Sequence, residues 1–163
     1  RTRALKVGVV VTEKENPVLP EGVGKLLADG VLDAVQFHGD EPPELCAGLA
    51  FPYYKAVRVG GREDLDAAAG YRCPRVLLDA RVAGKRGGTG VVVDEALARE
   101  AAERGPLWIA GGLNAENTAQ TVARLRPELI DLSSGLESSA GKKDPEKMKK
   151  LFRMLELSSG GTE

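Results

Sequence analysis

The strongest constraint in this sequence is a rhythm: short apolar, largely β-branched runs alternate six times with stretches of helical character. The runs fall at residues 5–11, 32–37, 53–59, 75–79, 107–110 and 129–132. They are mostly not interrupted by polar residues, the pattern of strands covered on both faces. Between them, Asn16-Pro17 and Pro20-Glu21 precede a short helical stretch ending at Gly30. Pro42 and Pro43 open a predicted helix through Leu49, and further helices are predicted over 62–69 and 94–104. Asn114 caps a predicted helix through Leu125, and the last helix starts at Asp144-Pro145. Asp94, Asn114 and Asp144 are types whose side chains accept from an unpaired first-turn amide, and Pro145 suits the first helical position. Met148, Leu151, Phe152 and Leu155 recur at helical spacing and predict one buried stripe. Residues 158–163 read as a frayed tail, leaving one domain over 1–157.

Strands alternating with helices imply right-handed crossovers and a parallel sheet, so the fold class is α/β. The 163 residues give roughly 27 per unit, and eight units at that pitch would need about 216, inside the range of (β/α)8 barrels. The chain therefore reads as a barrel with about six units present, or as an open doubly wound sheet. Periodicity leaves both open. A six-stranded parallel sheet exposes two edges, which predicts pairing with a second copy or a complementing fragment.

Composition removes several function classes. Lys and Arg total 23 against 24 Asp and Glu, so charge gives no case for nucleic acid or an anionic membrane. Only 4% of residues are aromatic, too few for base-stacking platforms. No apolar run reaches the ~18–20 residues of a membrane helix, and the N-terminus lacks the apolar core of a signal peptide. Cys46 and Cys73 have no Cys-x-x-Cys spacing and His38 is the only histidine, which argues against a disulfide framework or a zinc site. A reduced cytoplasm is the default expectation. A chain beginning with Arg rather than Met reads as a fragment or a processed chain.

In either architecture, ligands bind where strands end. The second strand exits in Gln36-Phe37-His38-Gly39, the third offers Lys55 and Arg58, and the fourth ends in Asp79. Gly111-Gly112 follow the fifth strand and Ser133-Ser134-Gly135 the sixth. Glycines let backbone amides approach an anion, and hydroxyls at the start of a short extra helix favour one too, so these two exits read as a phosphate cup. A partly desolvated carboxylate at Asp79 would suit a general acid. The glycine-rich loop 84–90, with Gly88 in it, reads as a lid over the site. Cys46, placed on the 42–49 helix, and Cys73, in a loop, have no base beside them and read as packing residues.

These exits, in this order, resemble the phosphoribosylanthranilate isomerase family. The resemblance rests on Val7-Gly8-Val9-Val10-Val11, Leu32 through Glu41, Leu77-Leu78-Asp79-Ala80 and Gly87-Gly88-Thr89-Gly90. It continues through Ile109-Ala110-Gly111-Gly112-Leu113-Asn114-Ala115-Glu116-Asn117, the run from Asp131 through Ser139, and Gly141-Lys142-Lys143-Asp144-Pro145. It implies a (β/α)8 TIM barrel of which this chain matches strands three to eight, the first two units missing. It implies a cofactor-free Amadori rearrangement of a phosphorylated small molecule, N-(5-phosphoribosyl)anthranilate, in tryptophan biosynthesis. Asp79 would then be the general acid, and Gly111, Gly112, Ser133, Ser134 and Gly135 would hold the phosphate. Gln36, His38, Arg58 and Gly88 would line the site. The family's general base, a Cys in its first strand, and an Arg after its second strand match no residue here. Two other readings stand beside this one: a non-catalytic partial barrel that binds phosphate or assembles, and another sugar-phosphate isomerase or epimerase.

Overall fold

The computed structural model describes residues 4–12, 18–47, 49–80 and 93–159. Loop 84–90, with Gly88, lies outside these residues. Six strands form one sheet: β1 (Val7–Val10), β2 (Ala34–Phe37), β3 (Tyr53–Val59), β4 (Val76–Ala80), β5 (Trp108–Ala110) and β6 (Leu129–Ile130). Their order in the sheet is their order in the chain. β1 with β2, β2 with β3, and β5 with β6 run parallel. An order with no reversal is the topology of a barrel wall, whereas a doubly wound sheet reverses once. The helices are α1 (Val23–Ala28), α2 (Arg62–Ala68), α3 (Glu95–Arg104), α4 (Thr118–Leu125) and α5 (Pro145–Ser159). A short hairpin, β7 (Glu137–Ser139) with β8 (Lys142–Lys143), precedes α5.

The chain divides into two compact units, residues 1–57 with 63–77, and residues 58–62 with 78–163. In the first, Val35 and Phe37 of β2 join Val10, Val23, Cys46 and Tyr53 in a core. Phe37 and Tyr53 meet edge to face, with centroids 6.2 Å apart, a favoured aromatic geometry. In the second, Leu136 and Leu151 pack with Ala115, flanked by Leu132 and Leu155.

Local signals fared well where the chemistry is local. Asp94 accepts from the amides of Ala96 and Leu97, and Asp144 from those of Glu146 and Lys147. Four expectations need correction. Residues 42–47 form turns rather than a helix, so Cys46 sits on a turn. Two successive prolines supply no N–H, and the Leu45 and Cys46 amides both reach back to the Pro42 carbonyl. Asn114 does not cap α4 directly; its side chain accepts from Glu116 and Asn117, closing a turn before the helix begins at Thr118. Of the α5 stripe only Leu151 and Leu155 pack inward, while Met148 and Phe152 are exposed. Finally, β1 is not covered on both faces: Leu5, Val7, Val9 and Val11 are exposed, because β1 lies at the end of the strand order.

Candidate active site

The second unit gathers a carboxylate and two glycine-opened loops at its strand exits. Asp79 is half-buried near the end of β4. Gly111 follows β5 with φ +83°, and a Cβ there would lie 2.6 Å from both Asp79 Oδ1 and the Ala80 amide nitrogen. No side chain fits that space, so glycine lets the β5 exit press against the acid. Gly112 also has positive φ, +64°. Two asparagines brace the loop reciprocally. Asn117 Oδ1 accepts from the Asn114 amide at 2.9 Å, and Asn117 Nδ2 donates to the Gly112 carbonyl at 2.9 Å.

The β6 exit is locked onto this loop. A Cβ on Gly135 would fall 2.0 Å from the Leu113 carbonyl oxygen and 3.0 Å from Asn114 Cα. Backbone thus meets backbone, and the two loops form one rim. The expected extra helix is a single 3-10 turn, Ser134–Leu136, following Ser133. Ser133 and Ser134 are exposed at its start. The Ser133 carbonyl accepts from the Leu136 amide at 3.1 Å and from Lys143 Nζ at 2.8 Å. Asp79, Gly111, Gly112, Ser133, Ser134 and Gly135 are therefore contiguous. Such a rim of backbone and hydroxyl groups beside a carboxylate is suited to an anion with a proton donor next to it.

In the first unit the β2 exit carries a relay. The Tyr54 hydroxyl donates to Gln36 Oε1 at 2.9 Å, and Gln36 Nε2 lies 2.8 Å from His38 Nδ1. With Oε1 accepting, the amide group donates, which makes Nδ1 the acceptor and places a neutral imidazole's proton on Nε2. Arg58, next to the last residue of β3 and counted with the second unit, has an exposed side chain.

Sequence reasoning missed a buried ion pair here. Glu41 and Lys55 side chains are 0% and 2% exposed, with Nζ 3.2 Å from Oε2. Glu41 accepts from the amides of Thr12, at 2.8 Å, and Gly39, at 2.9 Å. Lys55 Nζ donates to the Gly39 carbonyl at 2.9 Å and to that of Ala56. The Tyr71 hydroxyl donates to the Glu41 carbonyl at 2.8 Å. The two charges thus tie the exits of β1 and β2 to β3. The one available signal was Lys55 inside an apolar strand. Both thiols nearby are held neutral: burial pushes Cys46 up to about 11 despite the opposing pull of Lys55, and burial also raises Cys73.

A parallel α/β sheet in unreversed order is the wall of a (β/α) barrel, and the carboxylate and the glycine-opened loops lie at its strand exits, the end where such barrels carry their sites. The profile of the N-(5'-phosphoribosyl)anthranilate (PRA) isomerase family matches residues 1–154. A relative from Stutzerimonas stutzeri (strain A1501), named N-(5'-phosphoribosyl)anthranilate isomerase, is 44% identical over 135 residues, 82% of this chain. The chain spans 65% of that relative's length, less than two thirds. The crystal structure of phosphoribosyl anthranilate isomerase from Thermotoga maritima aligns with TM-score 0.79 and 34% identity, covering 94% of this chain and 73% of the other. A crystal structure of phosphoribosyl anthranilate isomerase in complex with reduced 1-(o-carboxyphenylamino)-1-deoxyribulose 5-phosphate aligns with TM-score 0.74 and 34% identity, covering 94% of this chain and 72% of the other. The chain belongs to the phosphoribosylanthranilate isomerase family.

Proposed function

We propose that this chain carries the acid and phosphate half of a phosphoribosylanthranilate isomerase site. The observation that carries the reading is the placement of Asp79 Oδ1 against Gly111, the first residue of the rim. The substrate is an N-glycoside with a 5-phosphate. Its phosphate sits on Gly111, Gly112, Ser133 and Ser134, and Gly135 holds the two loops together. The Asp79 carboxyl gives its proton to the furanose ring oxygen as the C1–O bond breaks. The nitrogen lone pair completes a Schiff base. A general base then removes the C2 proton, and the resulting enol-amine tautomerises to the ketose. The bound analogue in the second neighbour structure is a reduced form of such a product, which supports this chemistry.

In this reading the six units correspond to the last six of eight, and the general base comes from a strand outside these 163 residues. The coverage of 73% of the Thermotoga maritima chain supports the correspondence. Added strands, from a complementing fragment or a second copy, would cover the exposed Val7 and Val9 of β1. Arg58, from β3, lines the site in the same reading.

Turnover of phosphoribosylanthranilate, followed by loss of anthranilate fluorescence, tests the assignment when the chain is assayed with a base-bearing complementing fragment. Asp79→Asn is expected to lower the rate by about 10²-fold or more, the usual worth of a general acid. Its affinity for inorganic phosphate should stay near the parent's. Equal rates for the two proteins would remove Asp79 from the chemistry.

A further inference from the structure

Lys143 and Glu137 stand behind the rim, and the chemistry above uses neither. Lys143 Nζ donates to the Ser133 carbonyl at 2.8 Å and to Glu137 Oε1 at 3.0 Å. Glu137 Oε2 accepts from the Gly141 amide at 3.1 Å, and the Glu137 carbonyl accepts from Lys147 Nζ at 2.6 Å. The β7–β8 hairpin brings these groups together, since Glu137 pairs with Lys143 in its register. Lys143, then the Gly141 amide, with a smaller contribution from the Ser133 side chain, hold the Glu137 carboxyl below the usual carboxylate range. It is therefore anionic across the neutral range.

A fixed carboxylate beside an anion rim is at first sight misplaced, because its charge repels the ligand. The hydrogen bonds give it another purpose. All peptide bonds among the described residues are trans. In a trans peptide the carbonyl and the following N–H point in opposite directions. Gripping the Ser133 carbonyl from behind therefore aims the Ser134 N–H away from Lys143. Glu137 restrains the lysine that does the gripping.

We propose that Glu137 and Lys143 are positioning residues that set the direction of the Ser134 amide in the anion rim. The inference rests on the reading of Gly111, Gly112, Ser133 and Ser134 as a phosphate site. It assigns Glu137 a favourable effect on anion binding, opposite in sign to its bare charge.

That sign is the test. Inorganic phosphate is titrated into the intact chain and its variants while the amide resonances of Gly111, Gly112 and Ser134 are followed by NMR. Glu137→Gln keeps the lysine and removes a negative charge. Positioning predicts affinity lower by roughly three- to ten-fold, in line with a lost charge-assisted hydrogen bond. Simple electrostatics predicts equal or tighter binding, and that result overturns the proposal. The double variant Glu137→Gln, Lys143→Met keeps the net charge of the parent. Weak phosphate binding by it supports positioning, and parent-like affinity overturns it. Lys143→Arg, which retains both charge and donors, should recover much of what Lys143→Met loses. Both side chains lie at the surface of a hairpin, and far-ultraviolet circular dichroism verifies that each variant folds. If the parent itself shows no phosphate-dependent shifts, the reading of the rim fails, and the positioning role of Glu137 and Lys143 is overturned with it.

Discussion

At the exits of β1 and β2, backbone is held by charge; at the exits of β5 and β6 it is held by the absence of side chains. Glu41 and Lys55 are sealed from solvent and spend their hydrogen bonds on Thr12, Gly39 and Ala56. Gly111 and Gly135 instead let one loop touch the next with no atom to spare. The two solutions suit different duties. A buried ion pair costs desolvation that its attraction only partly returns, so its worth lies in fixing one geometry rather than in stability. Glycine contact costs chain entropy but leaves amides uncovered by side chains, which an anion requires. The charged exit frames the Gln36–His38 relay, and the glycine exit frames the rim.

The largest expected effect comes from halving the ion pair. Glu41→Gln keeps an acceptor for the Thr12 and Gly39 amides but leaves the Lys55 ammonium uncompensated in the core. Urea denaturation should show a loss of about 3–5 kcal/mol. Adding Lys55→Met removes the stranded charge and should recover most of that loss, because an apolar side chain of similar length replaces a buried ion at little net cost. A double variant as unstable as the single one would mean the pair is a source of stability, and the contrast drawn above would fail on that side.

Gly135→Ala attacks the other solution. A methyl group 2.0 Å from the Leu113 carbonyl must push backbone aside. Overpacking of this kind costs about 3 kcal/mol, and the separated loops should lose phosphate-dependent amide shifts at Gly111 and Gly112. An alanine variant with parent stability and parent phosphate affinity would show that the loops meet by chance rather than by need.

These two exits were unequally legible in the sequence. Asp79, Gly111, Gly112, Ser133 and Gly135 could be placed at strand exits in advance because a strand's exit is a local property. An apolar run ends, and the next residues face the ligand end of the sheet. β3 was read with its observed bounds, Tyr53–Val59, for the same reason. The Asp94 and Asp144 caps are local as well. Glu41 and Lys55 lie 14 positions apart, and their meeting depends on the register that sets Phe37 opposite Lys55. Nothing in a single sequence states that register. Asn117 was hidden behind Asn114, which has the better capping context but spends its side chain one turn too early. The exposed Phe152 shows the limit of periodicity: spacing puts residues on one side of a helix, but only the neighbours decide how wide a stripe is covered.

The smallest effect distinguishes burial from charge within the first unit itself. Cys46 shares a core with Phe37 and Tyr53 and feels both Glu41 and Lys55, yet burial dominates and raises its thiol to about 11. In the unfolded chain a thiol ionises near ~8.5. The folded state therefore holds a proton that the unfolded state releases at alkaline pH. By linkage, this part of the stability is fully present below the unfolded value and is lost as pH rises through the folded one. Cys46→Ala abolishes the effect while trimming some packing at every pH. The stability advantage of the parent over this variant, measured in urea between pH 7 and pH 11, should therefore shrink as pH rises above about 8.5. A constant difference would mean that the thiol is not held neutral by its surroundings. The turn over residues 42–47 would then seal this core less tightly than the Glu41–Lys55 pair beside it implies.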